Sequence, residues 1–274
     1  MFDAKLQTKP AVRMQRSRGA ARAGFSGARL TGLHQSGSAK AILPRVPGSP
    51  EVVFLNTSGG LTSGDTLSYE TQLDAGAMLV ATTQAAERAY RADDGPAQVE
   101  VRHSVGSGCH LDWLPQETIL FDRAKLARDT TISLASNASC LMLEAVVLGR
   151  AAMGEQVRDL QFFDMRRIER AGKPVFFEPF LLNSDILAKG GRSAVLGEAR
   201  AFATLVLCRQ GAEDAVEPLR AVLDEPGVEG AASGFDGKCV IRLLAQDGWP
   251  MRRQILRLFN ALRRDQAAPR VWQI

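Results

Sequence analysis

Two glutamates stand in apolar runs, where a charged side chain is out of place. Glu144 lies inside LMLEAVVL, and Glu178 lies inside FFEPFLL. A buried carboxylate needs a cationic partner, a raised pKa or a bound cation. Two alternatives stay open from the residues alone. Either each glutamate pairs with a buried arginine, for which Arg150 and Arg192 are available, or several such carboxylates line a passage for a cation.

The glycine-rich segment 56–65, NTSGGLTSGD, is the most distinctive stretch of the chain. It resembles a phosphate-binding loop only in its glycines, because no lysine follows the last glycine and no helix is predicted to start there. Glycines in such a turn allow positive φ angles and close approach of the backbone. The segment is therefore interpreted as a structural or metal-lining turn, and Asp65 is its only acid.

The other reactive side chains form no catalytic or zinc-binding pattern. His34, His103 and His110 are scattered, and neither a GxSxG elbow nor a convincing Ser–His–Asp order is present. The four cysteines are more than thirty residues apart, without a CxxC pair. Paired spacing is typical of zinc sites, and disulfide frameworks are denser. The sequence therefore predicts reduced, buried thiols in a cytoplasmic protein.

Short apolar or alternating segments, separated by Gly, Asp, Asn or Pro, predict a mainly β fold. They span 51–56, 67–73, 77–83, 97–105, 109–114, 118–121, 130–135, 140–148, 162–170 and 175–182. Their spacing is typical of an antiparallel sandwich, a barrel or a stack of sheets. Helices are predicted near the end of the chain, at 213–223 and 250–264. The second has one apolar face and one arginine-rich face, which we expect to be solvated or to meet an acidic partner.

The formal net charge of +4 is distributed unevenly along the 274 residues. Residues 1–24 and 250–274 each hold six basic residues and one acid, so the segment between them carries about −6. We expect a single domain over 1–274, with a basic N-terminal arm at 1–24. No apolar run is long enough to span a membrane. The basic ends leave a nucleic-acid-binding protein as one alternative, and a β-rich hydrolase of unknown substrate as another.

Four motifs in order carry a resemblance to a known family. They are NTSGGLTSGD (56–65), TTQAAERAYR (82–91), WLPQETILFDRA (113–124) and EAVVLGRAAMGE (144–155). Together they resemble the UreD family of urease accessory proteins, called UreH in some species, from about residue 20 to the tryptophan region at 270–272. Glu87 and Arg88 depart from the family, which usually has threonine and lysine there.

The resemblance implies a β-helix-like stack of sheets with a few added helices and a non-catalytic role in urease maturation. Family members bind UreF, which recruits the GTPase UreG, and the assembly docks on the urease apoprotein. Nickel then passes to urease through an internal path in UreD, so we expect transient nickel and no tightly bound cofactor, nucleic acid or membrane. The resemblance makes Asp65, Glu144 and Glu178 the candidates to line this path, with Glu117 and Glu155 as weaker ones.

Overall fold

The computed structural model describes residues 15–189, 196–263 and 266–273, which form mainly β-strands. In chain order the strands are β1 (Arg18–Ser26), β2 (Arg29–Gly37), β3 (Ala39–Ile42), β4 (Glu51–Asn56), β5 (Thr66–Asp74), β6 (Met78–Thr83), β7 (Glu87–Ala89), β8 (Ala97–Val105), β9 (His110–Trp113), β10 (Thr118–Leu120), β11 (Ala124–Leu134), β12 (Ser139–Leu148), β13 (Leu160–Arg170), β14 (Lys173–Asn183), β15 (Ala201–Cys208), β16 (Val228–Phe235) and β17 (Lys238–Ala245). The α-helices are α1 (Ser184–Ala188), α2 (Val216–Arg220) and α3 (Gly248–Leu262), and 3-10 helices cover Ala151–Met153, Ala212–Ala215 and Arg270–Trp272.

The strands form two facing sheets. Sheet A has the order β14-β13-β11-β8-β5-β1-β2, and sheet B has the order β16-β17-β15-β12-β9-β6-β4-β3, with β7 and β10 attached beside β12. In the middle of each sheet the neighbours are parallel, because the chain alternates between the sheets as it advances. This is a stack of coils, so the predicted β-helix-like architecture is confirmed. An antiparallel arrangement is wrong for these central strands.

The antiparallel pairs lie toward the ends of the sheets, and one of them includes the last residues of the expected N-terminal arm at 1–24. Strand β1 lies inside sheet A, parallel to β5 on one side and antiparallel to β2 on the other. Ala21 and Ala23 are buried in it. The basic residues from position 18 onward are therefore part of the sheet. The rest of the predicted arm, at 1–14, lies outside the described residues.

Two hydrophobic cores share sheet B. The first lies between the sheets, and it receives every second side chain of strands such as β11 and β8. The second lies between the other face of sheet B and helices α2 and α3. Sheet B is covered on both faces, which explains why every residue of β15 is buried. No helix in the described part of the chain is long and apolar enough to cross a membrane.

The predicted helices are present with different bounds. The prediction for 250–264 corresponds to α3, which begins two residues earlier with the side chain of Asp247 accepting a hydrogen bond from the Gly248 N–H. The prediction for 213–223 is shorter in the structure, since Ala212–Ala215 is a 3-10 helix and only Val216–Arg220 is α-helical. Pro218 has no N–H and cannot form the α-helical hydrogen bond to residue 214.

Candidate functional site

Glu144 lies between the two sheets, in contact with an arginine that the sequence did not single out. Arg128 Nη1 on β11 is 2.7 Å from Glu144 Oε2 on β12. The same guanidinium donates two hydrogen bonds to Asp164 on β13, from Nε at 2.9 Å and from Nη2 at 2.7 Å. All three residues are buried. The expectation of a buried arginine partner is thus met by Arg128 and not by Arg150, and Arg192 lies outside the described residues.

Glu178 belongs to the same set of contacts. Arg166 Nη2 is 2.6 Å from Asp164 Oδ2, and Arg166 Nη1 donates to Glu178 Oε2 at 2.8 Å. Arg242 Nη2 on β17 then donates to Glu178 Oε1 at 2.7 Å, and the Arg242 side chain is 60% exposed. We call the six residues the charge chain, in the order Glu144, Arg128, Asp164, Arg166, Glu178 and Arg242. It leads from the interior to the surface.

The alternation of the strands positions the charge chain. Arg128 and Asp164 are register partners in the parallel pair β11–β13, and Arg166 and Glu178 are register partners in the antiparallel pair β13–β14. On β13, Asp164 and Arg166 are two residues apart and therefore point to the same face. Thr204 of sheet B joins them, since Arg166 Nη1 donates to its hydroxyl at 2.9 Å.

The two innermost carboxylates have opposite pKa shifts. For Asp164, burial raises the pKa, but Arg128 and Arg166 outweigh this effect and lower it to about 2. For Glu144, burial dominates and the pKa stays above its usual value, although Arg128 lowers it and Trp113 donates a hydrogen bond to Oε1 at 3.1 Å. Asp164 is therefore firmly ionised, whereas Glu144 binds a proton more readily than an ordinary glutamate.

A cavity of about 170 Å³ connects this buried end of the charge chain with the protein surface. Its lining includes the buried side chains of Glu144 and Arg128 as well as the exposed residues Gly59, Gln84 and Arg88. Among the described residues, Glu144 Oε2 makes no well-oriented hydrogen bond, despite its ion-pair contact with Arg128. This oxygen is itself buried and faces Arg128, so a cation in the cavity would have to compete with that guanidinium for it.

Glu87 is a second carboxylate in the cavity lining, and it is not among the site residues predicted from the sequence. Burial raises its pKa to about 7, although the Arg88 N–H and the Asn56 amide donate hydrogen bonds to it. It lies on the three-residue strand β7, which pairs with β10. So short a strand has no recognisable alternation. The only signal was its place in the second motif, where the chain departs from the family.

Asp65 braces a turn. Its Oδ1 accepts a hydrogen bond from Ser17 N at 2.7 Å, and its Oδ2 accepts one from Thr62 N at 2.9 Å. These bonds hold the glycine-rich segment against the start of β1. Asp65 is buried and is not part of the cavity lining.

The two weaker candidates lie outside the cavity lining as well. Glu117 contributes its main-chain carbonyl, which accepts from Glu87 N at 3.0 Å. Glu155 Oε2 pairs with Arg150 Nε at 2.8 Å near the surface, and its Oε1 accepts from Asp122 N. In the part of the chain that the structure describes, no three His, Cys, Asp or Glu side chains are grouped so as to hold a metal ion.

The arginines of α3 have partners within the protein, although Arg253 and Arg257 also remain about half exposed to solvent. Arg252 donates to Gln116 Oε1 at 2.6 Å and stacks on Trp272, with its Cζ 4.7 Å from the ring centroid. Just past the helix, Arg263 Nε donates to the buried Asp112 at 2.7 Å. Arg253 and Arg257 pair with acids of the segment after α2. Phosphate groups of a nucleic acid would have to compete with these partners.

Comparison with known proteins points to one family. The family profile described as "UreD urease accessory protein" matches residues 16–273. A protein of Cereibacter sphaeroides named "Urease accessory protein UreD" is 57% identical over 97% of this chain and 98% of its own length. Proteins of the same name from Paracoccus denitrificans and Jannaschia sp. are 52% and 49% identical, over 100% and 95% of this chain and 97% of their own length in both cases.

Proposed function

The chain belongs to the UreD family of urease accessory proteins, and on that premise we propose that it is a scaffold that helps to deliver nickel to the urease apoprotein. In this proposal it binds UreF, which brings the GTPase UreG, and the assembly docks on urease. The observation that carries the proposal is the cavity that joins exposed residues to the buried carboxylate of Glu144. Nickel would enter there and leave along the charge chain.

The oxygen donors of the cavity lining and of the charge chain suit transient binding of nickel. Glu87, Asn56 and Glu144 offer oxygen ligands, and the charge chain adds Asp164 and Glu178. Oxygen ligands bind nickel less tightly than sets of imidazole or thiolate ligands, and several weak sites in series let an ion leave as well as enter. The three carboxylates of the charge chain are matched by three arginines, which further weakens retention of a cation. The arrangement favours transient passage of nickel over its storage.

The four cysteines support a cytoplasmic setting for this role, since all four are free and buried. Such thiols persist in a reducing compartment.

The experiment measures the nickel content and activity of urease in cells that supply the whole accessory set. Glu87→Gln, Glu144→Gln and Glu178→Gln remove one carboxylate charge each while keeping the side-chain size. We expect each to lower urease nickel content several-fold. Glu155→Gln is the matched control: although Glu155 is one of the weaker candidates, it lies outside both the cavity lining and the charge chain. Asp65→Asn tests the third of the main site residues predicted from the sequence, after Glu144 and Glu178.

Measuring whether each variant still captures UreF and urease distinguishes a loss of partner binding from a loss of nickel transfer. A variant that captures both partners normally and yields nickel-poor urease supports the path. Normal urease from Glu87→Gln, Glu144→Gln and Glu178→Gln would refute the path. A wild-type chain that captures neither UreF nor urease would refute the scaffold itself.

A further inference from the structure

The structure brings together a Ser–His–Asp set that the sequence order did not reveal. Ser139 Oγ is 2.7 Å from His110 Nδ1, and His110 Nε2 is 2.9 Å from Asp112 Oδ1. Ser139 and His110 are register partners in the parallel pair β9–β12. Asp112 follows His110 by two residues on the same strand, so the two side chains share one face. The charge chain uses none of these residues.

The partners of His110 favour the tautomer that a base-activated nucleophile needs. Asp112 is almost fully buried and is fixed by the ion pair with Arg263. Although burial raises the pKa of Asp112, His110 and Arg263 outweigh this effect and keep it below its usual value. An ionised Asp112 accepts a hydrogen bond from the His110 Nε2–H. The Nδ1 lone pair then faces the Ser139 hydroxyl and can accept its proton.

The Ser139 hydroxyl and the His110 ring line an open groove. The groove has a volume of about 790 Å³, and its lining includes Leu141, Leu207 and Arg209. The His110 side chain is 26% exposed, and Ser139 is half-buried. A small acyl group has room beside the serine, and the leucines offer it an apolar wall.

Asn137 and Arg209 are donors at the same groove. The Oδ1 atom of Asn137 accepts hydrogen bonds from Ser107 Oγ at 2.9 Å and from Gly108 N at 3.0 Å. This pattern assigns the amide orientation and leaves Nδ2 as a donor two residues from the Ser139 backbone. An amide and a guanidinium that line the same groove as a nucleophilic serine are the kinds of donor that stabilise the oxyanion formed when a carbonyl is attacked.

We infer that Ser139 is a base-activated nucleophile and that the groove accepts short-chain acyl esters. Ser139 Oγ attacks the ester carbonyl carbon while its proton moves to His110 Nδ1. His110 returns that proton to the departing alkoxide, which leaves as an alcohol. Water then attacks the acyl-serine, with its proton passing through His110 back to Ser139 Oγ, and the acid is released. Asp112 acts as a positioning residue for the imidazole.

The test uses the purified full chain, a fluorophosphonate probe that labels activated serines, and p-nitrophenyl acetate as the ester. We expect one label, mapped to Ser139 by mass spectrometry, and ester hydrolysis that Ser139→Ala abolishes. General-base assistance is worth about 100-fold or more, so His110→Gln should slow labelling by at least that factor. Ser133→Ala, at an exposed serine of sheet A, is the matched control and should label normally.

The role of Asp112 is tested by comparing a substitution that removes its carboxylate with one that keeps it, and the folding of each variant is checked separately. Asp112→Asn should slow labelling, and Asp112→Glu, which keeps a carboxylate, should recover part of the rate. Thermal unfolding of each variant shows whether it is folded. No label on Ser139 of the folded wild type, or equally fast labelling of folded His110→Gln, overturns the inference. An equal response of Asp112→Asn and Asp112→Glu overturns the positioning role.

Discussion

The charge chain between the sheets and two arginines of α3, Arg253 and Arg257, use the same pairing of arginine with carboxylate in different surroundings. In the charge chain, Arg128, Asp164 and Arg166 are each at most 7% exposed. At α3, the Arg257 side chain is 46% exposed and its partner Asp224 is 62% exposed. Comparing the two regions therefore shows how the contribution of a salt bridge to folding stability differs between a buried site and a solvent-exposed one.

Burial has a larger effect on the free energy lost when one partner of an ion pair is removed than on the net free energy gained when the pair forms. Taking two charges out of water costs nearly what their attraction returns, so a buried pair is weak evidence of net stabilisation. Removing one partner then leaves the other charge buried and uncompensated. At the surface, water replaces a lost partner and the pair matters little. The charge chain is thus a costly arrangement kept in place, which suits a functional path, whereas α3 is held mainly by its apolar face.

The largest effect should follow from Asp164→Asn, which leaves Arg128 and Arg166 without their shared anion. Breaking a buried ion pair costs about 3–5 kcal/mol, and we expect a loss of this order in the free energy of unfolding, measured with urea at pH 7. Equal losses from this variant and from the same substitution at Asp224 would remove the distinction between the two regions.

An intermediate effect should appear on acidification. The pKa of Asp164 is about 2 in the folded protein, against a usual value of 3.8. Its stabilising contribution, about 2 kcal/mol, is present above pH 4 and is lost as the pH falls toward 2. Glu144 and Glu87, whose pKa values are raised, change stability in the opposite direction.

The acid test therefore compares wild type with Asp164→Asn at each pH. The difference in unfolding free energy between them should narrow from pH 5 to pH 3. A constant difference would show that the ionisation of Asp164 is not linked to the stability of the fold.

The smallest effect should follow from Asp224→Asn beside α3. An exposed pair contributes less than about 1 kcal/mol, and salt screens it. We expect a loss below that value at low ionic strength and none in high salt, measured by the same urea titration. A loss that approaches that of Asp164→Asn would mean that the arginine pairs anchor α3, and not its apolar face.

The local pattern of burial accounts for the strands that the sequence predicted. It does not account for every strand that was missed, since the buried apolar runs of β15 and β17 were not predicted either. The clean alternation over 97–105 corresponds to β8 with the same bounds, and the apolar run at 51–56 corresponds to β4. Strands β1 and β2 were missed because β1 is rich in alanine and glycine, and every residue of β2 is exposed. Neither has a hydrophobic pattern, since their strand form depends on pairing with neighbours distant in sequence.

The residues of the candidate site likewise fall into those that could be identified from a local pattern in the sequence and those that could not. Glu144 and Glu178 were identifiable because a charge in an apolar run is anomalous on its own strand. Arg128 was not identifiable, since the residues around it in AKLARDTTISL are a mixture of apolar and polar types, against which a charge is not anomalous. Glu87 needed the cavity to reveal it, and Ser139 needed the pairing of β9 with β12. Contacts between residues about thirty positions apart leave no local periodicity to detect.

By itself, the sequence determined the mainly β fold, the family and two carboxylates that require an explanation, because alternation, motif order and hydrophobic runs are local properties. Only the tertiary structure decided which arginines neutralise those carboxylates, that the arginines of α3 are already engaged, and that Asp65 braces a turn. Each of these depends on register between strands and on the depth of burial. Both arise when the coils stack, since stacking sets which side chains share a dry interior and which remain in water.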